Sequence, residues 1–369
     1  MRALPIDQSY VLKQLLRLLH TPSPSGYTDR AVHLVCDELE RLDVPYEITR
    51  RGAIRATLSG EVGSPDRAIV AHIDTLGAMV KSLKGNGRLE VVPVGHWNAR
   101  FAEGARVTVF SDRGQYRGTI LPLKASGHTF GPEIDSQPCG WEYLELRVDE
   151  IAYNLEDLLR LGIHVGDFVA IDPNSEIEPN GFINSRHLDD KAGAALLLGA
   201  VKAVKEAGVT LPVDCHPLFT ISEEVGSGAS AALHGDVAEM ITIDNGTTAP
   251  GQNSSEFGVT IAMADMSGPF DYHLTRRLIQ LCQEYGIQHQ RDLFRFYRSD
   301  SAAAVEAGND LRTALLTFGI DASHGYERIH WNALESLATL LTVYMQSPSI
   351  YRRDRYDMGP RAGFPTLPG

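Results

Sequence analysis

Basic charge is in short supply in this 369-residue sequence: 34 lysines and arginines stand against 47 aspartates and glutamates, a net charge of −13. A surface so composed repels polyanions, so nucleic acid is not expected as a partner. Cysteine is scarce as well. Cys36, Cys139, Cys215 and Cys282 are scattered with no close pair, which argues against a disulfide framework and a cysteine-based zinc site and fits reduced thiols. No window stays apolar for 18 residues, and Lys13 and Arg17 interrupt the leucine-rich N-terminal stretch, so neither a membrane span nor a signal h-region is expected. What is present, 43% hydrophobic and 22% charged residues over a length sufficient for two domains, suits a globular cytoplasmic protein.

The acidic residues and histidines fall at informative places. The run 218–221 reads as a buried strand that Gly226 and Gly228 cannot extend, leaving Glu223 and Glu224 at its end on opposite sides of the backbone. One can bind a metal while its neighbour handles a water; a solvated acidic turn is the competing reading. The apolar run before His72 reads as a buried parallel strand. His72 and Asp74 leave its C-terminal end on one face, at the edge where open α/β sheets take their ligands. A neutral imidazole there can hold a metal and a nearby carboxylate can fix its tautomer, although a structural His–Asp pair has the same spacing.

Asp189 and Asp190 come at or just before the first turn of a helix that runs to about 206 and is capped by Gly208. Simple N-capping competes there with a bridging role, in which the two oxygens of one aspartate span two metal ions. His187 is expected to line the entrance rather than to ligate. A strand over 237–243 delivers Asp244 to a C-terminal edge, where a turn-initiating aspartate is the alternative. His324 lies in the loop 319–327 after a core strand at 311–318. Helices are expected over 7–20, 28–42, 272–286 and 332–346, with short strands around 45–49 and 53–58; the tail after Ser347 is expected to pack poorly.

Between about 80 and 180 the texture changes. Short β-like runs at 89–94, 106–111, 116–123, 144–148 and 167–171 alternate with Gly, Pro and Asn turns, with one helical segment at 155–161. A small β-rich barrel or sandwich inserted into an α/β chain is expected. The domains would be a discontinuous catalytic unit, 1–79 with 181–369, and the insertion 80–180. His96, His128 and His164 lie in the insertion without the spacing of a metal site.

Together His72, Asp189, Glu224, Asp244 and His324 make a candidate ligand set for two divalent ions, all in the α/β part. Imidazoles and carboxylates without thiolates suit zinc, cobalt or manganese. The segments Ala71-His72-Ile73-Asp74-Thr75-Leu76-Gly77, Leu188-Asp189-Asp190-Lys191-Ala192-Gly193 and Glu223-Glu224-Val225-Gly226-Ser227-Gly228 resemble, in type and order, those of the tetrahedral (TET) or glutamyl aminopeptidases, metallopeptidase family forty-two, over nearly the whole chain. The resemblance implies a phosphorylase/hydrolase-like three-layer α/β/α peptidase domain with an inserted small β-barrel-like domain. It implies that His72 and Asp244 hold one metal, Glu224 and His324 the other, and that Asp189 bridges them. Glu223 would be the general base and Asp74 would orient His72. Short peptides would be the substrates, and the insertion would pair subunits into dimers that build a hollow dodecamer.

The chain departs from that family's pattern in three loops. Asp321-Ala322-Ser323-His324-Gly325-Tyr326 replaces the usual Arg-Tyr-x-His-Ser-Pro, and the acid that follows, Glu327, comes one residue early. Tyr297-Arg298-Ser299-Asp300 stands for Gly-Gly-Thr-Asp, and Asn245-Gly246 for Val-Thr. These features are similar to a divergent subgroup associated with osmoprotectant dipeptides. They leave two alternatives beside a dinuclear aminopeptidase: a deacylase or amidohydrolase of small blocked dipeptides, and a non-catalytic oligomeric scaffold.

Overall fold

The computed structural model describes residues 1–361 and 363–368. Four parallel strands, Leu211–Thr220, Gly60–His72, Val237–Thr247 and Arg312–Ile320, lie side by side in that order at the centre of a nine-stranded sheet. Tyr46–Ile48 and Ile54–Ala56 extend it on one side; Val259–Asp265, with Gly268–Pro269 and His289–Leu293 paired to it, extends it on the other. The central strands are apolar almost without alternation (Ala68-Ile69-Val70-Ala71, for example) because both faces are covered.

Side-chain alternation shows the two coverings. Glu239 turns to the face of the helix Trp331–Met345, where the Tyr344 hydroxyl donates to it at 2.8 Å. Thr242 turns to the opposite face and shares a 2.8 Å hydrogen bond with Ser301 of the helix Asp300–Glu306. The helix Leu188–Ala207 packs on the first face between Gln8–Leu19 and Trp331–Met345. It is apolar almost all round, as a helix buried on every side must be. Gly199 allows one of these approaches, since a Cβ there would stand 2.5 Å from Val11 Cγ2.

Six strands, Gly77–Leu83, Arg88–Val94, Leu144–Val148, Gly114–Pro122, Arg106–Ser111 and Phe168–Ile171, close into a barrel in that order. Its own core includes Val80, Val91, Val107, Ile120, Leu146 and Val169. The chain leaves the main sheet at His72 and regains it through Phe182–Ser185, which joins Glu176–Ile177 and Glu327–His330 in a small antiparallel sheet. Ser185 stands opposite Glu327 there, so the loop entering the helix at Leu188 is held beside the loop carrying His324.

The tail differs from expectation near its start. The buried Arg67 guanidinium donates to the carbonyls of Tyr344 and Ser347 and to the Ser349 hydroxyl, and Glu239 accepts the Ile350 N–H. Residues 347–350 are thus fastened to the sheet by a buried polar network, while further along large side chains such as Tyr356 and Leu367 are exposed. Several elements went unread in the sequence, among them the first barrel strand Gly77–Leu83, the small sheet of Glu176–Ile177, Phe182–Ser185 and Glu327–His330, and Val259–Asp265, His289–Leu293 and Asp300–Glu306.

Candidate metal centre

Three parallel strands bring their ends to one edge. His72 is the last residue of its strand and pairs with Thr220, and the Glu223–Glu224 turn begins three residues beyond. Thr242 faces Val70, so Asp244 comes level with His72 and, by alternation, shares Thr242's side of the sheet. The strand continues through Asn245 to Thr247 in register with Arg312–Ile320, so Asp244 does not initiate a turn.

Asp189 arrives from the other side. Its backbone is extended (φ −74°, ψ 110°), and neither it nor Asp190 caps the helix that follows. Instead its two oxygens face two imidazoles: Oδ1 lies 3.2 Å from His72 Nε2 and Oδ2 lies 3.2 Å from His324 Nε2. Each histidine has its other nitrogen fixed on a carbonyl, His72 Nδ1 on Asp74 O at 2.9 Å and His324 Nδ1 on His96 O at 2.8 Å. Those bonds occupy both Nδ1 atoms and direct both Nε2 atoms at the cluster, where each carries a proton or, once that is lost, offers a lone pair to a cation.

The two glutamates separate, one to each imidazole. Glu223 Oε2 stands 3.8 Å from His72 Nε2, and Glu224 Oε2 3.7 Å from His324 Nε2. Ligand atoms of His72, Asp189 and Glu224 lie within 4.8 Å of one another, as do those of His72, Glu223 and Asp244. The structure therefore brings together His72, Asp74, Asp189, Glu223, Glu224, Asp244 and His324. Asp74 sits behind them, taking the Glu223 and Glu224 N–H groups at 3.1 and 3.3 Å and the Ser25 hydroxyl. Its side chain is 3.5 Å from His72 Nδ1, farther than its own carbonyl, so it orients the imidazole chiefly through its main chain.

The electrostatics suit cations. None of Asp189, Glu223, Glu224 or Asp244 pairs with a lysine or arginine among the described residues. Burial, with the charge of Asp189 next to them, pushes Glu224 and Asp244 up to about 8, and burial pushes Glu223 well above its usual range. Burial alone would lower the imidazoles, but Asp189 and Asp74 raise His72, and Glu224 and Asp189 raise His324 to about 10. Hydrogen bonds from the two histidines hold Asp189 below the ordinary range against its burial. This buried anionic knot gathers protons when nothing else neutralises it, and oxygen and imidazole donors at these separations fit divalent ions.

Other residues complete the centre. Glu327 is fully buried and accepts three N–H groups: Leu188 at 2.7 Å and Asp189 at 3.2 Å on one oxygen, His324 at 2.9 Å on the other. It clamps the Asp189 and His324 loops together and helps hold His324 in the left-handed region, φ +64°. Asp300 accepts the Thr220 hydroxyl and the Ala229 N–H, both at 2.6 Å, and Asn245 Nδ2 donates to Asp189 at 2.6 Å and Asp244 at 3.2 Å. His187 does not ligate; its Nε2 binds Ile171 O at 3.1 Å, and burial drives it down to about 3. Leu76, Trp97 and Arg186 wall the cleft, and past Arg186 and His187 a cavity of about 980 Å³ opens towards Tyr326. A further cavity of about 880 Å³, under the C-terminal tail, contains none of these ligands.

A family profile described as M42 glutamyl aminopeptidase matches residues 52–340. A putative aminopeptidase of Bacillus subtilis, YhfE, is 37% identical over 340 residues, 92% of this chain and 98% of that protein. Among solved structures, a TET aminopeptidase from a marine sediment archaeon, Thaumarchaeota archaeon SCGC AB-539-E09, superposes with a TM-score of 0.84 at 18% identity, covering 92% of this chain and 96% of its own. The Pyrococcus horikoshii TET1 peptidase, described as assembling into a tetrahedron or a large octahedral shell, gives 0.81 at 23% identity over 92% and 100%.

Removing the clamp should loosen the centre without touching a ligand. Glu327→Ala is expected to weaken metal affinity about 10- to 100-fold, the usual cost of losing an outer partner, measured by titration against a competing chelator; wild-type affinity would show that Glu327 does not support the ligands. Cation-free protein should also lose stability as pH rises. Glu224 and Asp244 titrate near 8 in the fold but near 4 when unfolded, so over that interval the fold carries more protons than the unfolded chain. The proton on His324, raised to about 10, stabilises the fold fully below its unfolded value and is lost as pH rises through 10. Melting temperature of the metal-stripped protein should fall steadily from about pH 5 to 9, while the loaded protein gives a flatter profile; a flat profile for stripped protein would contradict the electrostatic reading.

Proposed function

The chain belongs to the M42 glutamyl aminopeptidase family and is a peptide hydrolase, and from that premise we propose that it removes N-terminal residues from short peptides with two divalent cations, zinc foremost and cobalt or manganese next. The observation that carries the reading is the symmetric approach of His72 and His324 to the two oxygens of one aspartate, 3.2 Å on each side. On this reading His72 and Asp244 hold one ion, Glu224 and His324 the other, and Asp189 both. The ions would polarise the scissile carbonyl and bring the attacking water's pKa towards about 7.

Glu223 is then the general base. Its carboxylate lies 3.8 Å from His72 Nε2, beside the proposed ligands without being assigned as one of them, which leaves it to take a proton from the attacking water. It delivers that proton to the departing amine nitrogen, so one group serves both halves of the reaction. Asp74 fixes the turn carrying Glu223 and, through its carbonyl, the His72 tautomer.

We take the barrel as the dimerisation module and dimers as the units of a larger homo-oligomer such as a dodecamer, in keeping with the TET1 peptidase, which is described as assembling into a tetrahedron or a large octahedral shell. Ile151, Tyr153 and Val165, between barrel strands, are exposed at 81%, 77% and 68%, apolar side chains of the kind that subunit contacts cover.

Glu223→Gln should lower turnover of an aminoacyl substrate by at least about 100-fold, the lower end of what a general base supplies, with metal content by elemental analysis unchanged; near-normal turnover would remove Glu223 as the base. A panel of free and N-acetylated dipeptides separates the aminopeptidase from the deacylase, since cleavage of only the blocked series would overturn release of free N-terminal residues.

A further inference from the structure

Among the described residues that line the cleft with Asp189, Glu224 and His324, Arg186 is the one lysine or arginine. The same side chain also lines the cavity of about 980 Å³, so it stands where the two spaces meet. Its main chain is fixed there: the Arg186 N–H donates to Pro173 O at 2.8 Å, and Ser185 before it pairs with Glu327. Nη1 is fixed too, donating to Phe101 O at 2.9 Å and, at 3.5 Å, to the carbonyl of Gly325, the residue after His324.

The other edge of the guanidinium is unused. Nε is buried without a partner, and Nη2 makes no hydrogen bond or ion pair among the described residues. Those two nitrogens form the fork that takes a carboxylate in parallel bonds. No carboxylate of the chain fills it. Asp172, which lines the same cavity, is held by Arg117, and both oxygens of Glu327 are spent on the N–H groups of Leu188, Asp189 and His324. Burial works against the charge of Arg186, and a half-buried cation without a counter-ion is costly. An anion from outside would complete it. The apolar part of the cleft wall, Leu76, Trp97 and Ile171, suits an aliphatic side chain and leaves the fork for another part of the substrate.

We propose that Arg186 sets specificity by gripping the C-terminal carboxylate of a di- or tripeptide whose N-terminal residue lies at the metal centre; this rests on the release of N-terminal residues proposed for the same site. The preferred substrates are then very short peptides with a free acid end. An extended residue spans at most about 3.6 Å, so one or two residues past the scissile bond carry the carboxylate about 4–7 Å from it, along a cleft whose wall holds both the ligands and Arg186. A longer chain carries its terminus past the fork into the cavity. The acids of the cage repel an incoming carboxylate, and a guanidinium, charged at every working pH, offsets that repulsion at the boundary.

Leucylglycine and leucylglycine amide differ only in that carboxylate. The metal-loaded wild type is expected to cleave the acid with kcat/KM about 10- to 100-fold above the amide, the range for hydrogen bonds to a charged group, with most of the difference in KM. Arg186→Gln should bring the acid down to the level of the amide. Arg186→Lys, which keeps the charge without the fork, should fall between. Equal wild-type rates on acid and amide would overturn the proposal. So would a parallel loss on both substrates in the variants, with falling metal content, since Arg186 would then only brace the His324 loop through Gly325. Glutamylglycine amide carries its carboxylate on the N-terminal side chain instead; if Arg186→Gln lowers its cleavage more than that of leucylglycine, the fork reads that side chain and the proposal falls. Acetyl-leucylglycine separates the failures. A wild type that cleaves it and neither unblocked substrate loses the release of N-terminal residues altogether, whereas one that cleaves acid and amide alike loses only the role of Arg186.

Discussion

The mutual repulsion of carboxylates gathered at one buried point is the constraint on which the rest of this structure depends. Asp189, Glu223, Glu224 and Asp244 share a space with two imidazoles and no lysine or arginine partner among the described residues. Removing several ions from water costs several kcal/mol each, so the arrangement persists only if protons or cations neutralise it. The raised proton affinities of Glu224 and Asp244 are the proton solution. Divalent ions are the solution proposed for function, and they would exploit the same anionic field that makes the cation-free site unfavourable.

Around that knot the protein spends its hydrogen bonds on orientation. Asp74, Glu327 and Asp300 are buried acids, yet each turns its oxygens to main-chain N–H groups or hydroxyls on the segments that carry the inner residues. They act as rigid tethers between segments far apart in sequence. Glu327 alone joins His324 to Leu188 and Asp189, about 140 positions away. Parallel strands do the coarse positioning, because strands pointing one way present all their C-terminal ends at one edge.

This division of labour explains what could be read from the sequence. His72, the Glu223–Glu224 pair and Asp244 follow apolar runs that can only be buried strands, so their placement at one edge was legible. Asp189 was harder: an acid at the start of a helix suggests capping, and only the extended backbone at 189 directs it into the cluster instead. His324 sits on a loop with no periodic signal, and the family resemblance supplied its role. The strand His289–Leu293 was missed because its sequence, His-Gln-Arg-Asp-Leu, is polar; it is added by main-chain pairing to Val259–Asp265, which side-chain patterning does not report. The tail was misjudged because Arg67 and Glu239, which hold residues 347–350, lie far away on central strands where a buried ion has no local signature.

The departures from the family pattern are not random in space. Asn245 and Tyr297 come from separate segments, yet both act on the Asp244 carboxylate, the first through an amide at 3.2 Å and the second through the effect of its hydroxyl. Neither replaces a proposed ligand. The cage thus retains the donors expected to hold cations while the polar groups lining it change, and chemistry and recognition draw on different residues. An ionic cage tolerates little exchange of its members, because each carboxylate's proton affinity depends on the others. Neutral amides and phenols at its border carry no such coupling. They can vary without disturbing the charge balance, which is where a family that shares one reaction has room to differ in what it accepts.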